Sequence, residues 1–157
     1  MEQLVTVLLF IVFLQNRIMD LRKAVLCLCA QSAVIAGACL IMGLAGGHGV
    51  QGLLPVLMTI LVKVCLIPYA LFRLIGKLTD PKEIVSGINT NYSTGLSAVF
   101  LMLSYLIVDK MLPGVGNRDI MASSMGLILI GLVLIVMRSR AIMQIVGLMT
   151  MENGIYL

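Results

Sequence analysis

The sequence predicts an all-α protein, a polytopic transmembrane helix bundle of about six spans with its N-terminus outside. Three observations predict it. The 157 residues are 61% hydrophobic and 11% charged, with a mean hydropathy of +1.11; soluble domains run at roughly 45–50% apolar and about 25% charged. Apolar runs approaching the ~20 residues that a spanning helix needs recur along the chain, separated by short polar links. The charge of those links alternates, as expected when basic loops stay in the cytoplasm. A formal charge of +4 and a pI near 9.0 point to nucleic acid in a soluble protein. Here the basic residues fall between apolar runs, so they act as topology signals. The first apolar run leads directly into further spans with no small-residue cleavage site, which speaks against a signal peptide.

The first span runs from about Leu4 to Ile18, lengthened at its outer end by Met1-Glu2-Gln3. Arg17, Asp20, Arg22 and Lys23 form a charged link to the second span, roughly Ala24 to Leu44. That span ends at the glycine-rich turn Ala45-Gly46-Gly47-His48-Gly49. The third covers about Val50 to Leu74, with Pro55 early and Pro68 late, and Arg73, Lys77, Asp80, Pro81, Lys82 and Glu83 mark the link after it. Ile84 to Tyr92 is interrupted by Asn89, Thr90, Asn91, Ser93 and Thr94 and reads as an interfacial segment. The fourth span runs from about Thr94 to Val108. Asp109-Lys110, Pro113-Gly114 and Gly116-Asn117-Arg118-Asp119 make the turn into the fifth, roughly Ile120 to Met137. Arg138-Ser139-Arg140 is a short basic link. The sixth begins at about Ala141 and is still apolar at Leu157, about 17 residues or ~25 Å of helix, so a continuation in a longer protein is expected.

The links after the first, third and fifth spans carry Arg17, Arg22, Lys23, Arg73, Lys77, Lys82, Arg138 and Arg140 against Asp20, Asp80 and Glu83. The opposite ends are less positive: Glu2, then His48, then Asp109, Lys110, Arg118 and Asp119 in balance. This asymmetry puts the odd-numbered links in the cytoplasm.

Two charges stand inside apolar runs. Glu152 lies in Gly147-Leu148-Met149-Thr150-Met151-Glu152-Asn153-Gly154, roughly 18 Å along the helix from Arg140. An ionised carboxylate at that depth costs a few kcal/mol on insertion scales. Lys63 lies in Leu57-Met58-Thr59-Ile60-Leu61-Val62-Lys63-Val64-Cys65-Leu66-Ile67-Pro68. Arg73 is ~15 Å ahead of it and Val50 ~20 Å behind, too far for easy snorkelling. The functional reading makes Glu152 and Lys63 proton-handling groups; the structural reading makes them an interhelical ion pair. At ~4 Å and an effective dielectric of ~20, such a pair gains about 4 kcal/mol, comparable to the insertion cost of one charge. Pro68 weakens the third helix and frees a carbonyl.

Lesser polar groups include Gln144 and Asn153, with Gln31, Ser32, Ser97, Ser104, Ser123 and Ser124. Gln144 is ~80° around the helix from Glu152 and two turns away; the pair either lines one hydrated side or bonds across helices. Gly147 and Gly154 mark a close-packing stripe, and Gly126 and Gly131 are expected to act similarly. Cys27, Cys29, Cys39 and Cys65 form no CxxC pair and read as small helix-packing residues. His48 reads as a solvated loop residue, and the 12 methionines as apolar fillers. The sequon Asn91-Tyr92-Ser93 falls on the expected cytoplasmic side. No phosphate loop, catalytic triad or cofactor fingerprint occurs.

The stretch from Gln144 to Gly154 resembles component E of hydrogenase-4-type membrane complexes, and Thr59 to Pro68 is similar to that family's lysine-bearing helix with its following proline. The last helix also resembles the K-type small subunit of complex I and, more distantly, the C subunit of multi-subunit sodium/proton antiporters. In those relatives a central glutamate lines the membrane proton path, and a basic cytoplasmic link precedes it, as Arg138 and Arg140 do here. The resemblance implies one transmembrane domain over 1–157. Its N-terminal helices occupy 1–140, and 141–157 is the start of an incomplete K-like, Glu-bearing part. It implies a non-catalytic subunit in a prokaryotic cytoplasmic membrane, with Glu152 and Lys63 in a proton path supported by Gln144 and Asn153. Nickel–iron and iron–sulfur centres would reside in peripheral hydrogenase subunits, with antiporter-like and anchor subunits and lipid as neighbours and no cofactor on this chain. The family continues with a further acidic helix, which is not in this sequence. The rival readings are a structural scaffold of the membrane arm and a cation/proton antiporter component.

Overall fold

The computed structural model describes residues 2–45, 57–58, 60–78, 90–114 and 116–157, with backbone alone for 2–4, 42–45 and 90. The expected glycine turn with His48, the start of the third span with Pro55, and the stretch from Asp80 through Asn89 lie outside them. Among the described residues the architecture is all helical. We label α1 (Glu2–Arg17), α2 (Leu21–Ala45), a π-helical segment (Ile60–Leu66) running into α3 (Ile67–Ile75), α4 (Thr90–Met111), α5 (Arg118–Met137) and α6 (Ala141–Tyr156). Three helices are long and apolar enough to cross a membrane, over Leu21–Ile41, Asn91–Met111 and Arg118–Met137, and α1 contributes a shorter apolar helix. The protein is therefore a membrane protein.

The packing inverts the pattern of a water-soluble bundle. On α4, Ser93, Ser97 and Ser104 are buried, while Val99, Met102, Leu103 and Leu106 are exposed. Serines at helix spacing let backbones approach and bond across helices, and apolar side chains face outward, as hydrocarbon demands. The helix starts at Thr90, so Asn91 and Tyr92 belong to a spanning helix and not to an interfacial segment. Of the polar residues that suggested an interruption, Ser93 is buried and finds a partner on the inner face: its Oγ donates to Asn16 Oδ1 at 2.7 Å.

Helix α5 packs most closely against α6 and α4; α1 lies against α2, α4 and α5, and α2 against α6 and α3. Gly131, Gly147 and Gly154 bring the backbones of α5 and α6 together. A Cβ on Gly131 would stand 2.7 Å from the Met151 nitrogen, and one on Gly147 2.9 Å from the Gly131 carbonyl oxygen. Ser124 Oγ donates to the Gly154 carbonyl across the same seam.

One apolar cluster joins Leu21, Ala24, Val25 and Leu28 of α2, Leu71 and Ile75 of α3, and Ile142, Met143 and Val146 of α6. It brings the start of α2, the end of α3 and the start of α6 to one end of the bundle. That end holds Arg17, Arg22, Lys23, Arg73, Lys77, Arg138 and Arg140, and among the described residues Asp20 is its acid. Asp20 caps α2, its Oδ1 accepting from the Arg22 N–H at 3.0 Å, which satisfies one of the open amides of a helix start. At the opposite end, Pro113-Gly114 turns α4 into α5, with Gly114 at φ +104°, a conformation that suits glycine.

Candidate functional site

Lys63 sits in the middle of the π-helical segment Ile60–Leu66. Such turns are rare and recur at functional sites. The sequence reason lies just ahead. Pro68 has no N–H for the carbonyl of Val64 four residues back, and α3 starts afresh with Pro68 in its first turn, where a missing N–H costs nothing. Cys29 Sγ of α2 stands 3.6 Å from the Val64 oxygen and donates to it.

Helix α6 presents three groups to the Lys63 ammonium. Glu152 Oε1 is 3.2 Å from Nζ. Asn153 Oδ1 accepts from Nζ at 3.4 Å. The Tyr156 ring lies beneath it, 3.9 Å from Nζ to the centroid, within cation–π range. Glu152 and Tyr156 are one turn apart and share a face. The Lys63 side chain is 8% exposed and that of Glu152 36%. The ammonium is thus sealed in the protein, while the carboxylate opens toward whatever surrounds the bundle.

A second polar group lies deeper. Gln31 Nε2 of α2 donates to Gln15 Oε1 of α1. Gln15 Nε2 donates in turn to Thr150 Oγ1 at 3.4 Å, and Thr150 Oγ1 donates to the Val146 carbonyl at 2.9 Å. Thr150 and Asn153 are three residues apart on the inner face of α6, both buried. Two atoms in this region, Gln31 Oε1 and Asn153 Nδ2, have no hydrogen-bond partner among the described residues. One is an acceptor and the other a donor, the complement that internal water satisfies.

Asn16 organises a third group. Its Nδ2 donates to Ser97 Oγ at 2.6 Å and to the Ser93 carbonyl at 3.2 Å, and Arg138 Nη2 donates to the Asn16 backbone carbonyl. The sequence placed Arg138 in a short basic link. It is 7% exposed, because the last carbonyls of α1 need donors and a guanidinium at a helix C-terminus supplies them with favourable charge. Arg140 is half-buried and precedes α6. Gln144 is exposed and donates to the Arg138 carbonyl at 3.1 Å. It ties the start of α6 back to the link before it.

The structure thus brings Lys63, Glu152 and Asn153 together and leaves Gln144, Arg138 and Arg140 apart from them. Sequence reasoning passed over Gln15, Asn16, Thr150 and Tyr156. The signal for the first two was present, as adjacent amides near the end of the first span. Among the described residues no three His, Cys, Asp or Glu side chains stand together to hold a metal. No protein-family model, curated protein or solved structure matches the chain.

Proposed function

We propose that this chain is a non-catalytic membrane subunit of a complex I-like energy-converting [NiFe] hydrogenase or related redox complex, and that Glu152 and Lys63 carry charge within its proton path. The observation that carries the charge-relay reading is the 3.2 Å contact between a sealed ammonium and a carboxylate open on one side. The hydrogenase assignment rests on the resemblance of Thr59–Pro68 and Gln144–Gly154. In this reading the chain has six spans in a prokaryotic cytoplasmic membrane, with its basic end in the cytoplasm and its N-terminus outside.

The chemistry is reversible protonation. Ionised Glu152 pairs with Lys63; a proton arriving from the open side neutralises the carboxylate and removes the ion pair. The ammonium keeps Asn153 and Tyr156 as partners and stays in place. Opposite unit charges ~4 Å apart at an effective dielectric of ~20 attract by about 4 kcal/mol, reduced where one partner is partly exposed.

A second reading is a static lock between helices. The three contacts on Lys63, which leave the ammonium fully engaged, favour it. Copurification in mild detergent tests the assignment: large antiporter-like chains with a nickel–iron subunit support it, and a free homo-oligomer argues for an independent transporter. Glu152→Gln separates the mechanisms, since a relay loses proton movement in an assembled complex and a lock loses assembly.

A further inference from the structure

We propose that the end of the bundle opposite the basic cluster binds a zwitterionic aminophospholipid, its acyl chain against α4 and α5 and its headgroup at Asp119. A cavity of about 450 Å³ opens between these helices, with Leu101, Met102, Leu106 and Ala122 on its walls and Asp109, Arg118 and Asp119 at its charged rim. A second cavity of about 230 Å³, lined by Val5, Thr6, Tyr105 and Asp119, shares Tyr105 and Asp119 with the first. A mainly apolar cavity and a smaller, mixed one thus share a carboxylate, an arrangement that suits an amphiphile better than a purely apolar or purely ionic ligand. The Tyr105 and Ser123 hydroxyls bond each other at 2.8 Å beside this junction.

The rim charge selects the headgroup. Arg118 Nη1 pairs with Asp109 Oδ1 at 3.1 Å. Among the described residues no cation stands within ion-pair distance of Asp119, which is exposed in the first turn of α5. Asp109 and Arg118 thus neutralise each other, and Asp119 leaves the rim with net negative charge. A primary ammonium donates up to three hydrogen bonds to carboxylates. A choline headgroup has no N–H to donate, and a purely anionic headgroup meets net negative charge. The ammonium of a phosphatidylethanolamine-type lipid fits the Asp119 carboxylate. This site is independent of the proton-path reading.

The test is native mass spectrometry of the purified protein in mild detergent with an equimolar mixture of phosphatidylethanolamine, phosphatidylcholine and phosphatidylglycerol of matched chains. The expected result is retention of the ethanolamine lipid over each of the others by about tenfold, the effect of one charge-assisted hydrogen bond. Asp119→Asn is expected to erase that preference with thermal stability unchanged. Leu106→Trp, at an exposed position on the apolar wall, is expected to lower retention of all three lipids alike. Equal retention of the three headgroups, no retained lipid in the unsubstituted protein, or a preference that survives Asp119→Asn would overturn the proposal.

Discussion

An ammonium 8% exposed against a carboxylate 36% exposed makes an uneven pair, and the unevenness predicts how each partner responds to substitution. Removing the lysine leaves a carboxylate in apolar surroundings. Lys63→Met should cost about 2 kcal/mol, below the 3–5 typical of a fully buried pair because Glu152 is partly open. Removing both charges with Lys63→Met/Glu152→Gln should restore most of that stability, since neither charge is then left alone. Thermal unfolding in detergent reads this directly; a double variant as unstable as Lys63→Met contradicts the pairing. Both charges were legible in the sequence because each stands alone in an apolar run. Their meeting was not, since nothing in the intervening chain sets the register of the two helices. Asn153 was named as a supporting polar group without a defined partner, and Tyr156, whose ring lies against the ammonium, carried no signal at all.

Helix–helix seams were legible where glycine marks them. Gly147 and Gly154 were read as a packing stripe, and they do face α5 in backbone contact. Gly131→Ala should destabilise the protein by about 1–3 kcal/mol through overpacking, because its new Cβ would meet the Met151 and Gly147 backbones and not a yielding side chain. Gly126→Ala should cost less, since the nearest obstacle is the Leu101 side chain. Equal losses in a thermal melt would contradict this account of the seam. The beginning of α4 was not legible. Thr90 to Thr94 looks like a helix breaker until Asn16 supplies partners from α1, a tertiary match that local propensity does not encode. For the same reason Asn16→Leu should strand the Ser93 hydroxyl and lower stability by about 1–3 kcal/mol, whereas Gln144→Leu, at an exposed position, should change it by less than about 1 kcal/mol.

The packing of α2, α3 and α6 brings Arg17, Arg22, Lys23, Arg73, Lys77, Arg138 and Arg140 to one end of the bundle, the grouping expected from the alternating links. Membrane character was equally plain, because composition decides it. The spans described at full length are α2, α4 and α5; the order in which they pack could not be read from the chain. The proposed orientation is checked by thiol labelling of intact cells with an impermeant maleimide, in a background lacking the four native cysteines. Lys110→Cys should label and Arg140→Cys should not; the reverse pattern inverts the topology. The most direct test of the proton path is Glu152→Gln in the assembled complex, with coupled proton movement followed in inverted membrane vesicles. The account predicts normal subunit content and proton movement reduced at least about tenfold, the equivalent of about 1.4 kcal/mol on the limiting barrier. Unchanged proton movement in a fully assembled variant would contradict it.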